Sequence, residues 1–325
     1  MVEFTPVNLI TGFLGSGKTT LLQRLLADPA LSDTAVLINE FGEVGLDHHL
    51  LERIDDTVVL LPSGCLCCTI RGELSAAIKD LHSRRERGVV PAFRRLVVES
   101  SGLADPFPIL STVQADPVLR HHFRLGNVIT TIDAVNGLDR PESLKQVAVA
   151  DRLVLTKTDL APACDALVEQ IRRLNPDAPL WRPAEQDVEA AALFDDRRHS
   201  LLRAFPAAEA IPHGSVHAFA LAFDGVLDWT MFGVWLTMLL HRHGEKVLRV
   251  KGILNVAGTD TPVAVHGVQH LVHPPTHMAA WPDEGRRSRL VFIVEGLERS
   301  AIERSLAAFS GRPIGRSGPA ATAAE

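Results

Sequence analysis

One run of residues, Gly12-Phe-Leu-Gly15-Ser16-Gly17-Lys18-Thr19, constrains the fold of this chain more than any other feature. It satisfies the pattern G-x-x-x-x-G-K-[ST], with an apolar stretch before it at 7–11 and a helical pattern after it at 18–26. A strand, a glycine-rich loop and a helix in that order form a phosphate cradle. Glycine lets the backbone wrap closely around phosphate, and the loop amides point inward as an anion nest. The helix N-terminus adds a favourable dipole. In this reading Gly12, Gly15, Ser16, Gly17, Lys18, Thr19 and Thr20 bind the nucleotide. Lys18 sets its charge against the β/γ-phosphates, and the Thr19 hydroxyl ligates Mg²⁺.

Such a loop belongs in a parallel sheet, and the rest of the first half agrees. Strand-like runs at 35–39, 57–61, 95–99, 128–133 and 153–156 alternate with helical patterns at 74–87, 106–114 and 163–174. Alternation of this kind predicts an α/β fold, a mostly parallel P-loop NTPase sheet with helices on both faces. Ligands in such sheets bind at the carboxyl ends of the strands. The pattern changes after a polar connector at 186–212, which leaves 1–185 as the nucleotide-binding domain. Strands are expected at 216–223, 247–254, 263–268 and 289–295. Helices are expected at 227–240, with Asp228 as N-cap and Gly244 as the stop, and at 300–309. Residues 213–310 therefore read as a smaller α+β domain, and 311–325 as a disordered tail.

Composition narrows the function. The 33 basic and 39 acidic side chains give a net charge of −6, which argues against gripping a phosphate backbone, so no nucleic-acid partner is expected. No apolar run approaches the roughly 20 residues needed to span a bilayer. The start carries Glu3 and no basic region, so it does not read as a signal peptide, and a cytoplasmic location is expected. Three of the 4 cysteines, Cys65, Cys67 and Cys68, are near neighbours, which does not suit a disulfide framework.

Two further pieces accompany the loop. The apolar run 95–98 ends in Glu99, followed by Ser100-Ser101-Gly102. A carboxylate at that strand end can hold Mg²⁺, and Gly102 can follow the γ-phosphate. Thr156-Lys157-Thr158-Asp159 matches [N/T]KxD. Asp159 can accept from the guanine N1–H and exocyclic amine, a pair adenine does not offer. The Lys157 stem can lie along the base plane. The catalytic set is then Lys18, Thr19, Glu99 and Gly102, with GTP as the nucleotide.

Cys65, Cys67 and Cys68 follow the strand expected at 57–61, at the same sheet edge as the phosphate loop. Three thiolates this close can chelate Zn²⁺ or Co²⁺, while buried structural cysteines and a redox couple are the alternatives. Cys164, on a helical pattern, reads as packing.

Taken together, the phosphate loop, Asn39-Glu40-Phe41-Gly42-Glu43-Val44-Gly45, the cysteine triplet, Glu99-Ser-Ser-Gly-Leu-Ala-Asp105-Pro106 and the Thr156–Asp159 stretch resemble the CobW-like GTPases. That family shares a P-loop class with the urease and hydrogenase nickel-insertion GTPases. Gly267-Val-Gln-His270-Leu-Val-His273-Pro-Pro is similar to its C-terminal domain. The resemblance implies a GTP-hydrolysing metallochaperone that passes a divalent metal, zinc or cobalt, to a client metalloenzyme or metal-cofactor biosynthesis protein. It implies Cys65, Cys67 and Cys68 as metal ligands and residues 39–45 as the γ-phosphate-sensing loop, with Glu40 or Glu43 near the metal. A homodimer is compatible with it. Two other functions compete: a nucleotide-responsive metal sensor or buffer without a client, and a P-loop kinase or ATPase with structural cysteines. Thr156-Lys157-Thr158-Asp159 speaks against the last.

Other residues read more plainly. Arg71, three residues beyond the cysteines, can contact the loop at 39–45 or stand in solvent, and the cluster Arg84-Arg85-Glu86-Arg87 reads as a solvated helix end. Of the 14 histidines, His241, His243, His266, His270, His273 and His277 tempt a metal reading. A continuous strand would put His266 and His270 on one face and His273 on the other, so surface or core roles are expected.

Overall fold

The computed structural model describes residues 4–38, 58–60, 69–161, 163–183, 190–195 and 216–311. Glu40, Glu43, Cys65, Cys67 and Cys68 lie outside the described residues. The chain divides into two compact units, one of Met1–Val168 with Ala178–Arg198 and one of Glu169–Asp177 with His199–Glu325.

The first unit is built on a parallel sheet. Its strands are β1 (Thr5–Gly12), β2 (Thr34–Ile38), β3 (Val58–Leu60), β4 (Arg95–Glu99), β5 (Phe123–Asp133), β6 (Arg152–Thr156) and β7 (Leu180–Trp181). They lie in the order β3-β2-β4-β1-β5-β6-β7, and every pairing is parallel. The helices of this unit are α1 (Lys18–Leu26), α2 (Thr69–Glu86), α3 (Pro106–Ala115), α4 (Pro117–His122), α5 (Pro141–Val149) and α7 (Ala190–Phe194), and the division between the units falls within α6 (Asp165–Leu174). Strands β1 and β4 read as nearly unbroken apolar runs because both sheet faces are covered. Ile10, Val97, Ile129 and Val154 are each fully buried against Leu22 and Leu193 in one core.

Two features of this unit depart from the expected pattern. Strand β5 begins at Phe123 and not at 128, because Gly126-Asn127 forms a bulge opposite Asn8 and does not end the strand. The Asn8 Oδ1 accepts from Asn127 N–H at 2.8 Å, replacing the ladder bond that the bulge breaks. A side chain on Gly126 would collide with that same oxygen, 2.3 Å from its Cβ position. Arg85 is also not solvated. It donates to Thr5 Oγ1 and the Phe93 carbonyl at 3.1 and 3.3 Å and lies 4.7 Å over the Phe93 ring, so its flat guanidinium packs as part of the wall.

The second unit carries an antiparallel sheet of β8 (Val216–Phe223), β9 (Val247–Leu254), β10 (Val263–Val268), β11 (Leu271–Val272), β12 (Thr276–His277) and β13 (Ser288–Glu295). The order is β11-β10-β9-β13-β8, with β12 against β10. Helices α8 (Trp229–His243) and α9 (Arg299–Ser310) share a core with it. Trp235 is wholly buried, and its indole N–H donates to Ser305 Oγ at 3.0 Å, which locks α8 to α9. Asp228 caps α8 through the Met231 N–H at 2.7 Å. Gly244 does end α8, but with a right-handed φ of −58°. The glycine is needed for room, since a Cβ there would stand 2.3 Å from the His270 ring.

The histidines pair differently from the continuous-strand expectation. The chain turns at Gln269, whose φ is +49°, and returns as β11. His266 and His273 therefore face each other, with ring centroids 4.4 Å apart and planes within 3°. Among the described residues no group of three or more His, Cys, Asp or Glu side chains is placed to hold a metal ion. No helix among them is long and apolar enough to cross a membrane.

Candidate nucleotide site

Four strands of the first unit end together. Ile10 of β1 pairs with Glu99 of β4, Gly12 with Thr131 of β5, and Asp133 of β5 with Thr156 of β6. Their carboxyl ends thus bring the phosphate loop, Glu99 and Thr156-Lys157-Thr158-Asp159 to one sheet edge, although these segments are far apart in sequence.

The loop holds its shape through three glycines. Gly12, Gly15 and Gly17 have φ of +144°, +71° and +89°, values that side chains disfavour. Gly12 is also crowded: a Cβ would meet Thr131 Oγ1 at 2.3 Å and Ser16 Oγ at 2.6 Å. Those two hydroxyls bond each other at 2.6 Å, tying the loop to β5. From the other side Thr156 Oγ1 lies 2.8 Å from the Ser16 carbonyl and 3.1 Å from that of Ile132, sharing its proton between them. A threonine at this position therefore braces the loop as well as opening the Thr156–Asp159 motif.

Lys18 is buried at the start of α1, and its Nζ donates to the Phe13 carbonyl at 3.2 Å across the loop. The next residue, Thr19, donates from Oγ1 to Glu99 Oε1 at 2.7 Å. Glu99 is only 3% exposed. A hydroxyl and a carboxylate oxygen this close are hard donors of the kind Mg²⁺ takes, so the residues fit the ion. Thr20 points to solvent on α1. Gly102 packs directly on the loop, where a Cβ would meet Leu14 N at 2.5 Å. Asp105 caps α3 through the Phe107 N–H at 2.9 Å, with Pro106 at the first helical position.

At the opposite end of the site Lys157 has a left-handed φ of +57°. Its Nζ donates to Asp133 Oδ2 at 2.6 Å. The exposed Asp159 follows one turn position later. No motif marks Asp133, although Asp133-Ala-Val-Asn136-Gly137 after a strand has the composition of an Asx turn. It accepts from the Val135 N–H at 2.8 Å and Asn136 Nδ2 at 2.8 Å. Burial opposes its charge, and these bonds with the Lys157 ammonium more than offset that, so the carboxyl titrates below the ordinary aspartate range. Its charged form is thus stabilising above pH ~3.9, and that contribution is lost as pH falls through the lowered folded value. On the expectation that Lys157 flanks the guanine base, Asp133→Asn should raise the Kd of GTP and GDP alike by about tenfold, ~1.4 kcal/mol, by releasing Lys157. It should also flatten the acid dependence of the melting midpoint below that pH. Equal affinities in wild type and variant, measured by calorimetry, would contradict this.

Strands β2 and β3 end level with Glu99, through Ile38↔Glu99 and Ile38↔Leu60. The segments holding Glu40 and Glu43 and the three cysteines follow these ends in sequence. Cys164, by contrast, is buried and free just before α6, where its carbonyl accepts from the Val168 N–H at 2.9 Å.

Residues 6–182 match the CobW/HypB/UreG nucleotide-binding domain, and residues 216–310 match the cobalamin synthesis protein CobW C-terminal domain. The chain belongs to the CobW family. Among relatives, the zinc chaperone YjiA of Escherichia coli (strain K12) is 33% identical over 315 residues, covering 94% of this chain and 98% of that protein. The zinc-regulated GTPase metalloprotein activator 1 of Schizosaccharomyces pombe is 33% identical over 183 residues, 52% of this chain and 43% of that one. The crystal structure of Zn(II)-bound YjiA GTPase from E. coli superposes with a TM-score of 0.69 at 26% identity, over 94% of this chain and 99% of that chain. A Zn(II)-bound YjiA triple mutant, with one glutamate and two cysteines replaced by alanine, gives 0.71 at 29% identity, with the same coverage. The P-loop architecture and the smaller antiparallel domain of this CobW-family chain are thus shared with a solved relative.

Proposed function

We propose that this chain is a GTP-hydrolysing zinc chaperone whose nucleotide state controls a thiolate metal site. The observation that carries the reading is the convergence of Lys18, the Thr19–Glu99 pair and Lys157 at one sheet edge. The names of the relatives, zinc chaperone and GTPase metalloprotein activator, support it and favour zinc over cobalt as the cargo.

Each residue has a physical part in this reading. The loop amides and Lys18 hold the phosphates, and Lys18 neutralises charge as it builds on the departing γ-phosphoryl group. Mg²⁺, held by Thr19 and Glu99, would draw charge from the phosphate oxygens. Lys157 and Asp159 select guanine. Gly102 lies against the phosphate loop, so its segment shifts with the γ-phosphate. Cys65, Cys67 and Cys68 hold the zinc cargo, with Glu40 or Glu43 as a further oxygen donor, and the zinc ion is delivered to a client metalloprotein. Zinc and GTP then strengthen each other's binding by the same factor, because linkage is reciprocal. Release of phosphate removes that coupling and frees the ion.

Metal analysis of the purified chain tests this directly. Stoichiometric zinc is expected with a non-hydrolysable GTP analogue and a loss of about tenfold or more in zinc affinity with GDP. Replacing the three cysteines together by serine should abolish stoichiometric metal while leaving GDP affinity unchanged. Full zinc loading in that triple variant would reject the thiolate site. Equal zinc affinity with GTP and GDP would reject the coupling. Zinc reaching an apo-client at the same rate with and without hydrolysis would favour a buffer over a delivery protein.

A further inference from the structure

Gln146 lies on the buried face of α5, between Ser143 and Val147, and is only 1% exposed. Its side chain Nε2 donates to the Gly102 carbonyl at 3.1 Å and to the Ala104 carbonyl at 3.3 Å. Both protons of the amide are therefore spent on the segment that follows Glu99. The Gln146 backbone is anchored in turn, because Thr130 Oγ1 of β5 donates to its carbonyl at 2.9 Å. Its Oε1 is buried and meets no donor among the described residues, and the residue lines a cavity of about 260 Å³ with Phe13 and Leu14 of the phosphate loop. An unmet buried acceptor costs free energy, and a leucine of similar size would remove that cost only by leaving the Gly102 and Ala104 carbonyls without this donor. The amide is thus a poor choice for packing alone. What it does supply is a fixed position for two carbonyls.

That position matters because of what adjoins it. Gly102 is pressed against Leu14 N and Cα with no room for a side chain. Glu99, three residues earlier, is bonded to Thr19. Peptide units are planar and trans, so the Leu103 N–H points away from the side on which Gln146 holds the Gly102 carbonyl. We propose that Gln146 is a positioning residue for GTP hydrolysis, clamping the Gly102–Ala104 segment so that its backbone amides are pre-set for the triphosphate state. The segment is then ordered through α5 as well as by the nucleotide, and a pre-set amide costs no reorganisation at the moment of reaction. This inference rests on the GTPase reading of the site.

The test uses the full chain with Gln146→Leu, and Gln146→Met as a second apolar variant should the first fail to fold. Turnover at saturating GTP and Mg²⁺ should fall about tenfold, with KM within about twofold of wild type. The preference for a non-hydrolysable GTP analogue over GDP should shrink by a similar factor, while the melting midpoint should change little, because the leucine removes one unmet acceptor and also strips two carbonyls of their donor. Gln146→Glu adds a signature that a structural role would not give. Burial raises the titration of that carboxyl, and only its protonated form donates. Its turnover relative to wild type should therefore recover on acidification, while that of Gln146→Leu stays flat. Wild-type turnover and nucleotide preference in Gln146→Leu would overturn the proposal. So would equal losses in all variants at every pH accompanied by a lower melting midpoint. A wild-type chain that binds GTP without hydrolysing it refutes the GTPase reading, and the nucleotide preference alone then decides the role of Gln146.

Discussion

Gly12→Ala should lower the melting midpoint of the nucleotide-binding unit by about 6–12 °C and weaken GTP binding by more than tenfold. The new Cβ would stand 2.3 Å from Thr131 Oγ1, 2.5 Å from the Thr131 carbonyl and 2.6 Å from Ser16 Oγ. Two of these three contacts are hydroxyls that bond each other, so none can move without breaking the tie between the loop and β5. Overpacking and an unfavourable φ together cost ~3 kcal/mol. At 2–4 °C per kcal/mol for a unit of this size, that gives the stated shift. Gly15→Ala is the control. Gly15 has a φ of +71° but nothing within 4 Å of its Cβ position, so only backbone strain of about 1 kcal/mol applies. Differential scanning calorimetry on the two variants separates crowding from strain, and equal midpoints would contradict the argument.

Glu99→Gln should leave the fold intact and reduce hydrolysis about 100-fold, the usual scale for removing one pre-organised electrostatic group. The amide oxygen of glutamine can still accept from Thr19, so the 2.7 Å bond between the two elements survives. What disappears is the negative charge of a group that is 3% exposed. An uncharged amide is cheaper to bury than a carboxylate, so the melting midpoint should be unchanged or higher. The Mg²⁺ concentration that supports half-maximal turnover should rise by about tenfold or more. Wild-type turnover with a normal Mg²⁺ requirement would remove Glu99 from the site, whereas a lower melting midpoint with weak binding would make it structural.

Much of the fold was legible, and the reasons differ by element. Strands 95–99 and 216–223 and the helix at 18–26 match the expected bounds because a long apolar run or a clean start signal marks them. Strand β5 is five residues longer than its apolar run at 128–133 suggests, since Gly126 and Asn127 look like a strand boundary until Asn8 is seen to fill the bulge. The short α4 and α5 are not among the helices expected from the sequence, although Pro117 and Pro141 at their first positions are start signals. The histidine pair His266–His273 depends on a turn at Gln269 with φ of +49°, which no glycine announces. Arg85 was read as solvated because charge patterning cannot see Phe93 and Thr5 beneath it.

The candidate site divides along the same line. The order and spacing of the phosphate loop, Glu99 and Thr156-Lys157-Thr158-Asp159 were determined by the sequence alone, because each motif is local: glycines for the turn, a carboxylate at a strand end, an aspartate two residues past Lys157. The three cysteines were likewise visible as neighbours. Only the tertiary structure decided which groups support these motifs. Asp133 and Gln146 look ordinary in sequence, one in a turn and one on a helix. The parallel register sets Asp133 beside Thr156 and brings its carboxylate to Lys157, and α5 carries Gln146 to the carbonyls of Gly102 and Ala104. Chemistry that lies within a few residues can be read from the chain. Contacts between side chains and a distant backbone exist only once the sheet has placed them, because they depend on register and packing.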